Sequence, residues 1–391
     1  MTEFERNRAG SASFEVVGTG SLHDALGDAI AYRSLEPIDR RLPGLTSLRQ
    51  SLGLKANRVP RKVEPAYGRV VAEILRAAGT LATGFDDFEK VVLIGDTEHN
   101  DGGALVNICA ALRCPGNAFI CDESAAAPGI IPTDRGDGHT LYLSNRWRLI
   151  DGFESDLARR GVIIGRGTVV LVDIDKTALG ARGRNQRPID VARAAAVLRT
   201  ARALRGDEVN RDLLLAAYNH FNRPRFHGFT TDNQDYLAYL ALLVEAGWSS
   251  IEKLHEGIVR GRLVSFGDLL NSVSASADRL PISLRRAHFD VEMAVEIGDP
   301  TPFKDFRRAE YRETVNRMTP VDDVDDTARL LATRLTLTAE VWRRAKRWRD
   351  CGALLFGLSD KPDEASFPSP ELEAEGYRPL HRSRALIVGE A

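Results

Sequence analysis

A chain of 391 residues with 43% hydrophobic and 28% charged residues has a globular composition and enough length for more than one core. Its formal net charge of −2 supplies no global attraction to nucleic acid or to an anionic membrane, and no run approaches the roughly 20 apolar residues that cross a bilayer. The four cysteines, at 109, 114, 121 and 351, contain no Cys-x-x-Cys pair and are too sparse for a disulfide framework, which predicts buried thiols and a reducing, cytoplasmic setting.

Residues 1–12 are polar and carry acidic groups without the apolar stretch of a signal peptide. Phe14 to Val17 reads as a strand, and Gly18-Thr19-Gly20-Ser21 as a plain turn into a helix over 22–32. That turn lacks the lysine and spacing of a phosphate loop. A basic stretch follows, with Lys55, Arg58, Arg61 and Lys62, before a helix that Pro65 starts and that runs to about Ala78. Lys62 therefore stands just ahead of a helix N-terminus, where a lysine reaches a phosphate, with Lys55, Arg58 and Arg61 as competitors for that task.

Val91 to Gly95 reads as a buried strand that ends in Asp96-Thr97-Glu98-His99-Asn100-Asp101-Gly102-Gly103, ahead of a helix to about Leu112. Carboxylates at a strand end suit a hard cation such as magnesium, which takes oxygen ligands. Asp96 is the first expected ligand, and Asp101 a ligand or an orienter of one. His99 has no second His or Cys at zinc-site spacing and reads as a hydrogen-bonding loop residue. Strands at 117–121 and 140–143 and a helix over 149–160 continue an alternation that argues for a doubly wound parallel sheet.

The strongest signal lies at 166–177. The run Thr168 to Val172 is apolar on both faces, as in a central parallel strand, and it delivers Asp173 and Asp175 at its carboxyl end, where ligands of open α/β sheets bind. Residues i and i+2 start on the same side of the chain, so both carboxylates can address one ligand.

The segment Asp173-Ile174-Asp175-Lys176-Thr177 resembles the first motif of the haloacid dehalogenase-like phosphatases and phosphotransferases. The resemblance implies that Asp173 is the nucleophile that takes a phosphoryl group, that Asp175 is the general acid and base, and that Thr177 contacts substrate. Gly-Asp-x4-Asp at 95–101 is similar to the acidic fourth motif, so Asp173, Asp175, Asp96 and Asp101 become the expected magnesium site. Lys62 would neutralise phosphoryl charge. Beyond Gly180, Arg182, Arg184 and Arg187 either grip an anionic substrate or form a solvated surface; Asn222, Arg223, Arg225 and His227 leave the same choice.

Helical periodicity then dominates to about Asp350, at 188–205, 207–220, 232–246, 301–318 and 323–349. The helix at 342–349 turns its tryptophans inward and its basic face to solvent. Ala353 to Leu358 reads as a third buried strand, ending in Ser359, which is similar to the second motif, whose hydroxyl binds phosphoryl oxygens. Ala385 to Gly389 reads as an edge strand beside it.

The motifs occur in a rotated order, with Lys62 and the acidic pair ahead of the nucleophile. The resemblance therefore implies a circularly permuted core with a helical insertion. The expected fold is α/β, a doubly wound, Rossmann-like parallel-sheet core at 1–180 and 351–391, with a large all-helical cap at 181–350. The expected function is magnesium-dependent hydrolysis of a small phosphorylated metabolite through an aspartyl-phosphate, with no nucleic acid or membrane partner. A phosphomutase or other phosphotransferase, a nucleotide-sugar glycosyltransferase and a non-enzymatic interaction protein are the alternatives.

Overall fold

The computed structural model describes residues 13–55, 58–321 and 326–391, so the polar 1–12 stretch lies outside the described residues. The protein is mixed α/β, 51% helical, with a mostly parallel seven-stranded sheet. It divides into two compact units. Among the described residues, the first comprises those of 13–189, 315–363 and 378–391, and the second 190–314 and 364–377. Residues 181–189 and 315–350, expected with the helices, thus belong to the sheet-bearing unit.

The strands in chain order are β1 (Phe14–Gly20), β2 (Ile30–Ala31), β3 (Lys90–Gly95), β4 (Gly116–Cys121), β5 (Ile130–Asp134), β6 (His139–Ser144), β7 (Thr168–Asp173), β8 (Leu337–Thr338), β9 (Leu354–Leu358) and β10 (Ala385–Glu390). The large sheet has the order β2-β9-β7-β3-β4-β6-β5, parallel throughout except for β5, which runs antiparallel to β6. All six residues of β7 are buried, as its unbroken apolar run requires of a strand covered on both faces. One face packs Val91, Leu93, Val169, Leu171 and Phe356 against the helices Pro65–Thr83 and Gly103–Leu112. On the other, Phe119 and Tyr142 meet Phe153 of the helix Ile150–Arg159.

From β3 the chain continues outward to β4 and β6. It then returns across β3 to β7 and continues in the opposite direction to β9. The crevice between the carboxyl ends of β3 and β7 is therefore the topological switch point, where open α/β sheets bind ligands.

Several expectations give way. The helix at 22–32 closes after Leu26, with Ser21 and Asp24 forming a capping box, and Ile30–Ala31 pairs with β9. β10 does not flank β9: it pairs antiparallel with β1 and parallel with β8 in a separate three-stranded sheet. The helix expected over 323–349 begins partly outside the described residues and is broken into Thr327–Thr333, β8 and Ala339–Asp350. Three cysteines are buried, but Cys351 is exposed. In the second unit, helices such as Arg211–Phe221, Gln234–Glu245 and Phe266–Ser274 close around Leu214, Phe221, Leu240 and Leu269.

Candidate active site

Asp173 is the last residue of β7, and Asp96 follows the last residue of β3, its parallel neighbour, so backbone register alone sets them side by side. Asp101 joins them because the chain doubles back in a single wide turn, Glu98–Gly102, ahead of the helix Gly103–Leu112. Gly95 makes that return feasible: a Cβ there would stand 2.6 Å from the Asp101 Cγ. Carboxylate oxygens of Asp96, Asp101 and Asp173 all lie within 4.8 Å of one another, and all three residues are buried.

Lys62 holds the cluster together. Its buried ammonium donates to Asp101 Oδ1 at 2.8 Å and to Asp173 Oδ1 at 2.6 Å, and lies 3.9 Å from Asp360 Oδ2. The Lys62 carbonyl accepts from Asn107, which ties the lysine's backbone to the helix behind the acidic turn. Arg182 donates through Nε to Asp96 Oδ2 at 2.6 Å. The turn that carries Arg182 needs Gly183, whose φ is +78° and whose Cβ would meet the Glu123 carbonyl oxygen.

The three carboxylates are not equivalent. Asp101 Oδ2 accepts from the backbone N–H of Asp96 and of Thr97 and from the Thr97 hydroxyl, and its other oxygen faces Lys62. Burial would raise its carboxyl, but Lys62 and these donors hold it below the usual carboxylate range. Burial pushes Asp173 well above that range despite Lys62, with Asp101 and Asp96 adding to the rise. Asp96 is pushed up to about 7 by burial and by Asp101, against the pull of Arg182. Burial opposes the charge on Lys62, yet Asp101 and Asp173 outweigh it and keep the ammonium firmly protonated.

Asp173 Oδ2 is buried and has no hydrogen-bond partner among the described residues. A buried carboxylate oxygen without a donor is costly unless a ligand meets it. An all-oxygen donor set suits magnesium or a similar hard cation. Asp173 and Asp96 have oxygens to give; Asp101, with both oxygens occupied, orients the site.

No family model, curated protein or solved structure matches this chain.

The other expected residues are distributed unevenly. Asp175, two residues beyond the strand end, is half-buried and stands outside the three-carboxylate cluster. Thr177 is fully buried with its hydroxyl unpartnered among the described residues, and its carbonyl accepts from Thr338. Ser359 follows Leu358, which pairs with Asp173 across β7 and β9; its hydroxyl accepts from the Lys361 N–H at 3.0 Å and retains its own proton to donate. Of Arg182, Arg184 and Arg187, Arg182 is the one that reaches the carboxylates. The Arg184 side chain is covered and forks onto Glu340 while also bonding Glu123, and Arg187 is exposed at the start of the helix Arg187–Arg205. Within the basic stretch that precedes the helix, Lys62 is the residue that meets the cluster, whereas Arg58 pairs with Glu64. His99 is exposed and belongs to no group of metal-ligating side chains among the described residues. Two contributors escaped sequence reasoning, Asp360 and the Thr97 hydroxyl. Each directly follows a residue already singled out at a strand end, which is the signal that could have found them.

Proposed function

We propose that the protein is a phosphohydrolase of the haloacid dehalogenase-like type, with a circularly permuted core, that cleaves a small phosphorylated metabolite with magnesium. One observation carries this reading. Lys62, Asp96, Asp101 and Asp173, drawn from three separate stretches of chain, converge at the switch point, with one oxygen of Asp173 bare and the other clamped by a lysine. The parallel order β9-β7-β3-β4 supports the permutation, because it sets the strand ends of Ser359, Asp173 and Asp96 in sequence around one point.

In this mechanism Asp173 reacts in its ionised form, which Lys62 favours against burial and which a bound cation would favour further; Lys62 fixes one carboxylate oxygen and leaves Oδ2 to attack phosphorus. The bond from phosphorus to the substrate oxygen breaks, and Asp175 gives that oxygen a proton. Asp175 then takes a proton from water, whose oxygen attacks the aspartyl-phosphate and restores the Asp173 carboxylate. Lys62, the Ser359 hydroxyl and the partly exposed guanidinium of Arg182 are the groups available to charge on the phosphoryl oxygens. Magnesium would be held chiefly by Asp96, beside Asp173, and would supply further neutralisation of phosphoryl charge.

A panel of phosphate monoesters assayed for phosphate release with magnesium tests the reading. Turnover is expected with magnesium, lost on chelation and lost in Asp173→Asn. Release that is unchanged in Asp173→Asn would remove the nucleophile and with it the proposal.

A further inference from the structure

The helix Ile282–Glu296 of the second unit buries Leu284, Ala287, His288 and Val291 on its inner side. Its outer side is also apolar. Ile282, Phe289, Met293 and, just beyond the helix, Ile297 are 84, 46, 63 and 55% exposed. Together with exposed Arg286 they recur at spacings of four, three, four and four, which is one continuous stripe along a helix. Single exposed apolar residues are ordinary on protein surfaces, whereas four large ones in a row on one helix make a patch that calls for a partner.

The charges along this stripe identify the partner. Arg286 lies in its N-terminal half, and Asp290 and Glu296 lie in its C-terminal half; all three are exposed. A basic half followed by an acidic half is self-complementary when two copies run antiparallel, and self-repelling when they run parallel. We propose that the stripe is the interface of a two-fold homodimer in which the helices of two copies pair antiparallel, with Phe289 at the axis. Ile282 then faces Ile297 of the second copy. Arg286 lays its stem against Met293 of the second copy and its guanidinium beside Asp290 of the second copy. One helix pair is small for a protein interface, so the dimer belongs to the weak, concentration-dependent class.

Sedimentation equilibrium of the intact chain, from low micromolar to several hundred micromolar, tests this. The expected result is a reversible monomer–dimer equilibrium. Phe289→Glu should raise the dissociation constant at least about a hundredfold, because each substitution falls twice in a two-fold interface. Its circular dichroism should match the parent. Arg286→Glu and Asp290→Arg should each weaken the dimer, and the double exchange should restore it, a rescue that non-specific apolar clustering would not produce. A monomer at every concentration, a dimer indifferent to Phe289→Glu, or a double exchange no tighter than its parents would each overturn the proposal.

Discussion

Lys62 is the residue on which the candidate site depends most. It is buried between two carboxylates, and its removal would take the counter-charge from Asp101 and the donor from Asp173 Oδ1. Lys62→Met is therefore expected to cost about 3 kcal/mol of stability near neutral pH, read from urea unfolding of the metal-free protein. If magnesium binds as proposed, adding it should recover part of the loss, since a cation beside Asp173 would also neutralise it. Gly95 has the opposite character, because its contribution is the absence of a side chain. In Gly95→Ala the new methyl group would collide with Asp101, and Asp101 could not keep both its return toward Asp96 and its bond to Lys62. The expected outcome is a magnesium affinity roughly ten- to a hundredfold weaker, the range seen when supports of metal ligands are lost, measured by titration calorimetry. An affinity equal to the parent's would mean that Asp101 does not organise the site.

Among the elements, the short helical turn Leu380–Arg382, with Leu380 and His381 buried, shows how a connection is fastened by charge. Arg382 bonds both oxygens of Asp28, and His381 Nε2 lies 3.1 Å from Asp28 Oδ1, with the His23 ring nearby. Burial lowers the His381 imidazole from its ordinary 6.5 to about 4, even though Asp28 pulls the other way. The folded state thus keeps His381 neutral, while the unfolded chain binds a proton near the ordinary value. Its contribution is complete above about pH 6.5 and declines as pH falls toward about 4, by at most about 3 kcal/mol. Urea unfolding across that range should follow this slope, and His381→Gln, which retains a hydrogen-bonding group, should flatten it. A slope unaffected by the substitution would assign the acid sensitivity to other groups.

For the whole molecule, the consequence concerns the last forty residues. β9 stands between β7 and β2, so the interior of the large sheet includes a strand encoded almost at the end of the chain. β10 likewise pairs with β1, joining the two ends of the described chain in one small sheet. A chain ending at Asp350 would lack both strands and expose the apolar edge of β7. It should be insoluble, or lose cooperative unfolding of the sheet-bearing unit. A soluble truncated chain with parent-like unfolding would contradict the central role of β9.

The amino-acid sequence by itself determined the local chemistry. An apolar run from Thr168 to Val172 that stops at Asp173 can be little other than a buried strand presenting acid at its end, and the same holds for Val91 to Asp96. Lys62 could be placed before a helix because Pro65 marks the helix start. These inferences depend on side-chain period and backbone preference, which act over a few residues. What only the tertiary structure decided was partnership. Whether Lys62 or a neighbouring cation meets Asp173, whether Arg184 grips substrate or closes on Glu340, and whether Ala385–Glu390 joins the large sheet or a small one depend on residues far away in sequence. β2 was invisible because two residues show no periodicity; it exists only because β9 offers an open edge. Local pattern fixes which face of an element is greasy, but which other greasy face covers it is chosen by the joint burial of all of them, and that choice is made only when the chain folds as a whole.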